Sequence, residues 1–272
     1  MQKHVIAKIE RHLRDVRQAI VREALDIPRF KMHAGDCPGA EAPDFDDAAW
    51  AGFSVGETWG GYDQVAWFRA RVAVPPAWQR DAGRVALRFL VGPRDGGLST
   101  AETQLYVDGE RLQAIDYWHE EAWLPPELLA RGELTVALRA WSGIYGVPDR
   151  RRFRLAQLVR IDPATERFYH LADTVLRVAC LQDENDPRRV ALLEVLDDAW
   201  RCLDLFQGPS PTFYASVPRA QAVLASALEA AGGPEIRPTV AAVGHSHIDM
   251  AWMWRLHHTR EKATRTFSTM LH

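Results

Sequence analysis

From position 45 to about position 161 the apolar residues recur at every second place in short runs broken by Gly, Pro and Asp, while on either side they recur at threes and fours. A period of two sends successive side chains to opposite faces of an extended chain, whereas a spacing of three and four lines one stripe of a helix. The chain must therefore fold as a β-rich block between helical segments, a multi-domain α+β architecture. Runs at 66–74, 85–90, 103–107 and 134–140 read as half-buried strands, and Val107-Asp108-Gly109-Glu110 reads as the turn after the third. Several short strands at this spacing predict a β-sandwich.

The helical segments have their own punctuation. Residues 2–25 place Val5, Ile9, Leu13, Val16, Ile20 and Ala24 on one stripe, with no Gly or Pro before Pro28. That stripe fits packing within the chain or contact between copies in a homo-oligomer. Beyond Pro163, further helices are expected at 166–182, at 188–206 after Asp186-Pro187, and at 217–231 before Gly232-Gly233-Pro234. The expected division is an N-terminal helix and extended segment (1–44), the sandwich (45–162), a helical linker (163–234) and the start of an α/β domain (235–272).

Charge and cysteine content narrow the setting. Thirty-three Lys plus Arg against 36 Asp plus Glu leave a net charge of −3, so no polybasic surface points to nucleic acid or to an anionic membrane. No apolar stretch approaches the roughly 20 residues of a bilayer span, and the N-terminus lacks the apolar core of a signal peptide, so a cytoplasmic location is expected. Cys37, Cys180 and Cys202 are odd in number and widely spaced, which reads as free thiols; Cys180 and Cys202 fall in helical patterns as small buried hydrophobes.

Chemistry concentrates at Gly244-His245-Ser246-His247-Ile248-Asp249-Met250-Ala251-Trp252-Met253, directly after the apolar run at 239–243. If that run is a buried strand followed by extended chain, His245, His247 and Asp249 fall on one side. Imidazole and carboxylate two residues apart suit a borderline divalent ion such as zinc, and the flanking tryptophan suits a flat apolar face. Two readings compete: histidines that merely satisfy local hydrogen bonds, and an amidohydrolase-type corner in which both histidines coordinate. The sandwich tryptophans, Trp50, Trp59, Trp67, Trp78, Trp118, Trp123 and Trp141, read mainly as core. Trp59, in the Gly-rich loop at 57–63, is expected to be the exception that reaches a ligand.

The stretch VGHSHIDMAWMWRLHHTREKATRTFS, residues 243–268, resembles the opening of the catalytic domain of family-38 α-mannosidases, whose pattern is roughly GHxHxDxAWLW followed by a helix with a KxxRTFS-like segment. The order WFR, VPPAW, VALRFLVG, LYVDGE resembles the jelly-roll domain that precedes the barrel in cytosolic-type members. The resemblance implies that His247 and Asp249 bind zinc, with cobalt or manganese as substitutes, that His245 is a neighbour, and that Trp252 lies against the sugar. It implies retaining hydrolysis of α-mannosides or mannose-containing oligosaccharides, by two carboxyl groups about 5–5.5 Å apart. In that family the nucleophile, the acid/base and a further metal ligand come from motifs downstream. No catalytic residue is therefore assigned within this chain, which is expected to be a truncated piece with little or no turnover alone. The alternatives are a non-catalytic carbohydrate-binding or scaffold protein and an amidohydrolase-like metal enzyme.

Overall fold

The computed structural model describes residues 2–79, 84–92, 101–144, 150–206, 208–230 and 239–272. Its first half runs α1 (Gln2–Ala19), β1 (Val21–Asp26), β2 (Arg29–Ala34), β3 (Ala51–Ser54), β4 (Thr58–Trp59), β5 (Val65–Ala73), α2 (Pro76–Gln79), β6 (Arg84–Leu90), β7 (Glu102–Val107) and β8 (Glu110–Ile115). There follow β9 (Glu121–Trp123), α3 (Pro126–Leu129), β10 (Glu133–Trp141), β11 (Arg151–Arg152) and β12 (Leu155–Ile161). The chain then turns helical, with α4 (Pro163–Leu181), α5 (Pro187–Arg201), α6 (Pro211–Ala230), a 3-10 turn at Leu256–His258 and α7 (Thr259–Leu271). Contacts group the chain into two units, Met1–Glu23 with Arg160–Ala242, and Ala24–Val159 with Val243–His272.

In the first unit α1, α4, α5 and α6 bury one apolar core that includes Ile9, Leu13, Val16, Phe168, Leu196, Trp200, Phe213 and Leu224. Two helices start alike. Asp162 accepts the Thr165 N–H before Pro163, and Asp186 accepts the Arg188 N–H before Pro187, so each aspartate satisfies an orphan donor of the first turn while the proline has no N–H to satisfy. Helix α1 ends at Ala19, six residues short of expectation, because residues 21–26 join β12 as strand β1. Backbone pairing there outweighs a helical stripe that continues only through Ile20 and Ala24. Helix α5 stops at Arg201, with Cys202 at its C-cap, whereas α6 begins at Pro211 and carries Pro218 inside. The expected stop at Gly232-Gly233-Pro234 lies outside the described residues. All three cysteines are free; Cys180 is exposed and Cys202 half-buried, so neither is the buried hydrophobe expected.

The second unit is sandwich-like. A six-stranded sheet, β3-β2-β5-β10-β7-β8, is antiparallel throughout, and a four-stranded sheet, β1-β12-β6-β9, shares its core. Phe68 is the hub: Phe53, Trp59 and Phe153 surround it with ring centroids 4.9, 5.5 and 5.3 Å away. In register, β10 sets Leu138 opposite Phe68 on one side and opposite Leu105 on the other, so alternate residues feed one core. The expected turn forms, with Asp108 and Gly109 at φ +50° and +85°, the left-handed pair that matches the twist of a two-residue hairpin.

The run 239–243 does not form the expected strand. Residues 239–249 carry neither strand nor helix, and Val240 and Val243 are 81% and 87% exposed. A strand buried on both faces needs ladder partners on its edges, and none of the described strands pairs with this run. The helix beyond it does form: His258 occupies the N-cap position, and the Thr259 hydroxyl bonds the Met250 carbonyl.

Candidate metal corner and its anchorage

The irregular segment between positions 245 and 249 brings His247 Nε2 to 3.3 Å from Asp249 Oδ1, with both side chains reaching water. Two donors each about 2.0–2.2 Å from a tetrahedral ion stand about 3.3–3.6 Å apart, so the pair fits a shared metal ion as well as a hydrogen bond. The His245 ring lies parallel to that of His247 with centroids 6.3 Å apart, and its hydrogen-bond register does not include Asp249. Trp252 is 65% exposed, its ring meeting Trp254 edge to face at 6.0 Å. Trp254 itself is buried beneath Lys262, whose Nζ sits 4.4 Å from the ring centroid.

The loop at 57–63 meets this segment through residues other than Trp59. Trp59 is completely buried in the sandwich core and donates its indole N–H to Val91 O at 2.8 Å, so the expectation of a ligand-facing ring at that position is overturned. The Gly-rich stretch after it turns the chain: Gly60 has φ +75°, and a Cβ there would lie 2.9 Å from Ser142 Cβ. That turn delivers Asp63, itself at φ +55°, to Arg255 and His258. Asp63 Oδ2 accepts Arg255 Nη1 at 2.8 Å, while Oδ1 accepts the Trp141 indole N–H at 3.0 Å and faces His258 Nε2 at 3.1 Å. Tyr62 adds its hydroxyl to the same guanidinium.

Asp63, His257 and His258 place their ligating atoms within 4.8 Å of one another, a second arrangement able to hold an ion. Its hydrogen bonds argue for a clasp. His258 Nδ1 accepts the Arg255 N–H at 3.1 Å, which puts the ring proton on Nε2, facing the carboxylate. An ion would have to displace that proton and compete with Arg255 and Trp141. Burial, with the neighbouring His257 adding to it, holds His258 below its ordinary 6.5 despite the pull of Asp63, so the neutral ring is the resting state.

Helix α7 is fastened to the six-stranded sheet by charge. Glu102 on β7 receives Lys262 at 2.8 Å and also Arg265, which is 5% exposed. Burial pushes the Glu102 carboxyl up, but these two cations prevail and hold it below its ordinary value. Ser268 Oγ reaches Gln104 at 3.2 Å, and the Ala114 N–H on β8 donates to Thr269 at 3.0 Å. The residues quoted above as a KxxRTFS-like segment thus make the helix's contacts with the sheet through Lys262, Arg265 and Ser268. Sequence reasoning missed Asp63, Arg255, His258 and Glu102, because each works through a partner far away in sequence, 78 positions for Asp63 and Trp141, 160 for Glu102 and Lys262 and 192 for Asp63 and Arg255; the local hint was the left-handed turn at Gly60-Gly61-Tyr62-Asp63.

Residues 237–272 match the family model described as "Glycosyl hydrolases family 38 N-terminal domain". Three curated relatives match as well. Those relatives are α-mannosidases. Alpha-mannosidase 2C1 of Mus musculus is 28% identical over 232 residues, 81% of this chain and 21% of the relative. Its Homo sapiens counterpart is 28% identical over 241 residues, 82% of this chain and again 21% of the relative. Alpha-mannosidase G of Dictyostelium discoideum is 49% identical over 37 residues, 14% of this chain and 3% of the relative. The chain thus spans about a fifth of the length of the two Alpha-mannosidase 2C1 relatives. Among solved structures, a Bacteroides uniformis beta-glucuronidase overlays 51% of this chain and 18% of its own at 16% identity, with a TM-score of 0.42.

Proposed function

We propose that this chain supplies the sandwich and the first metal-binding motif of a retaining, zinc-dependent α-mannosidase, with residues 235–272 as the opening of its catalytic domain. The observation that carries the reading is the 3.3 Å approach of His247 to Asp249 inside the segment that matches the family model. His247, as the neutral imidazole, and Asp249, as the carboxylate, would hold the ion, and Trp252 would offer its exposed ring to the apolar face of a mannosyl unit. Zinc, once bound, supplies a positive template for sugar hydroxyls, with cobalt or manganese as substitutes. The clasp of Asp63 on Arg255 and His258 fixes where the segment leaves the sandwich, so the chain's own contribution is to hold and aim two ligands and a ring.

Two protein ligands fall short of the three that a catalytic zinc ordinarily takes. The resemblance assigns the missing ligand, the nucleophile and the acid/base to other motifs, so the 272-residue polypeptide binds metal weakly and turns over no substrate. The reading carries with it a cytoplasmic setting, in keeping with three free thiols. The test is an assay of zinc-, cobalt- and manganese-loaded protein on an aryl α-mannoside, paired with a zinc titration. Zinc uptake lost in both His247→Ala and Asp249→Ala, without product release, is the expected result. Robust metal-dependent release would overturn the assignment of catalysis to missing motifs, and uptake indifferent to both substitutions would overturn the ligand assignment.

A further inference from the structure

A groove of about 630 Å³ opens between the loop that joins β8 to β9 and helix α7, and it shares no residue with the metal corner. That volume lies within the ordinary range of small-ligand sites, roughly 300–1,000 Å³. Thr103 on β7 lines it, fully buried, and its hydroxyl has no hydrogen-bond partner among the described residues. A buried hydroxyl left unpaired costs free energy that a ligand hydroxyl would recover. At the opening stands Trp118, 81% exposed. Its loop is held in shape from below, because Asp116 Oδ1 accepts the Trp118 N–H at 2.8 Å, the His119 N–H at 3.0 Å and the His119 ring at 2.9 Å. Tyr117 braces the indole edge to face at 4.6 Å.

The charges in this groove are already committed. Lys262 and Arg265 are held by Glu102, and Asp116 is held by its own loop, so neither an anion nor a cation finds an unpaired counter-charge. A rigid, water-facing indole beside an unsatisfied hydroxyl, in a groove of nearly balanced charge, matches a neutral polyol that has one apolar face. We propose that the groove is a saccharide-binding site that works without metal, in which Trp118 packs against a mannosyl ring and Thr103 pairs with one of its hydroxyls. The choice of mannose rests on the proposed function; the site itself does not.

Calorimetric titration of the 272-residue chain with α-1,2-mannobiose in the presence of a chelator tests it. Binding is expected with the metal removed, weakened about tenfold or more in Trp118→Ala. Trp118 is exposed, so that variant keeps its fold. Thr103→Val carries a signature that a purely structural threonine would not: an unchanged or higher Tm together with sugar binding weakened about threefold or more. Absence of binding in the wild-type chain, or binding unaffected by both substitutions, overturns the proposal. If binding needs metal and disappears in His247→Ala but persists in Trp118→Ala, the sugar sits at the metal corner; the groove assignment is then overturned while the proposed function stands.

Discussion

Arg139 on β10 grips Glu261 of α7 with both arms, Nη1 to Oε2 at 2.7 Å and Nη2 to Oε1 at 2.8 Å, and the same guanidinium holds Asp36 at 2.9 and 3.0 Å. A planar fork serving two carboxylates raises the Arg139 pKa and, through its hydrogen bonds, lowers that of Asp36. The arginine side chain is 12% exposed, whereas Asp36 and Glu261 are 52% and 35% exposed, so removing it breaks two ion pairs whose acids still reach water.

Arg139→Met is therefore expected to cost about 1–3 kcal/mol, below the full figure for a buried pair because both acids are partly hydrated. Urea unfolding measures the loss. A double-mutant cycle with Glu261→Gln should return a coupling of about 1 kcal/mol, and amide exchange should show α7 losing protection before the sheet does. A coupling near zero would mean that the helix is held by its other contacts, Glu102 among them.

Acid should weaken the fold before any carboxylate titrates. His258 and His12 both lie below their ordinary 6.5, mainly through burial, with Arg11 and Lys8 adding to the effect at His12. The unfolded chain takes up protons near pH 6.5 that the folded chain still refuses, so stability is complete above that pH and falls as pH drops toward the lower native values. The slope is at most about 1.4 kcal/mol per pH unit for each ring. Tm measured from pH 8 to pH 5 should bend downward below 6.5, and His258→Gln should flatten part of the bend. A curve unchanged by that substitution would remove His258 from the account.

Trp59 and Trp118 make opposite predictions from the same side chain. Trp59→Ala deletes a core ring and the bond to Val91 O and should cost about 3–5 kcal/mol in urea unfolding, leaving sugar affinity of the folded fraction unchanged. Trp118→Ala should leave stability within about 0.5 kcal/mol. A stable Trp59→Ala protein would contradict the core packing around Phe68.

The two histidines of the motif should separate in a zinc titration. His247→Ala should weaken uptake tenfold or more, whereas His245→Ala should change it by no more than about twofold, because only the His247 ring meets Asp249. Equal losses would favour an amidohydrolase-type corner.

The sandwich was legible wherever local pattern decides it. The four expected runs became β5, β6, β7 and β10 with ends shifted by one residue at most, and the turn at Asp108-Gly109 formed as its φ > 0 requirement demands. What pattern could not convey was pairing. Residues 21–26 look helical until β12 is present to receive them, and residues 239–243 look like a strand although none of the described strands receives them. At the site, spacing grouped His245, His247 and Asp249 because all three lie on one short segment, and the family resemblance singled out His247 and Asp249. Asp63, Arg139 and Glu102 reach their partners only after folding, and Trp59 was misread because a glycine-rich neighbourhood suggests approach to a ligand, whereas here the glycines turn the chain around a buried ring.

The His247 and Asp249 side chains are 72% and 46% exposed. Kinetically, a pair this open to water takes up a cation at the pace of diffusion and releases it almost as readily, so its occupancy should track free ion concentration from moment to moment. Long residence would require neighbours that close over it.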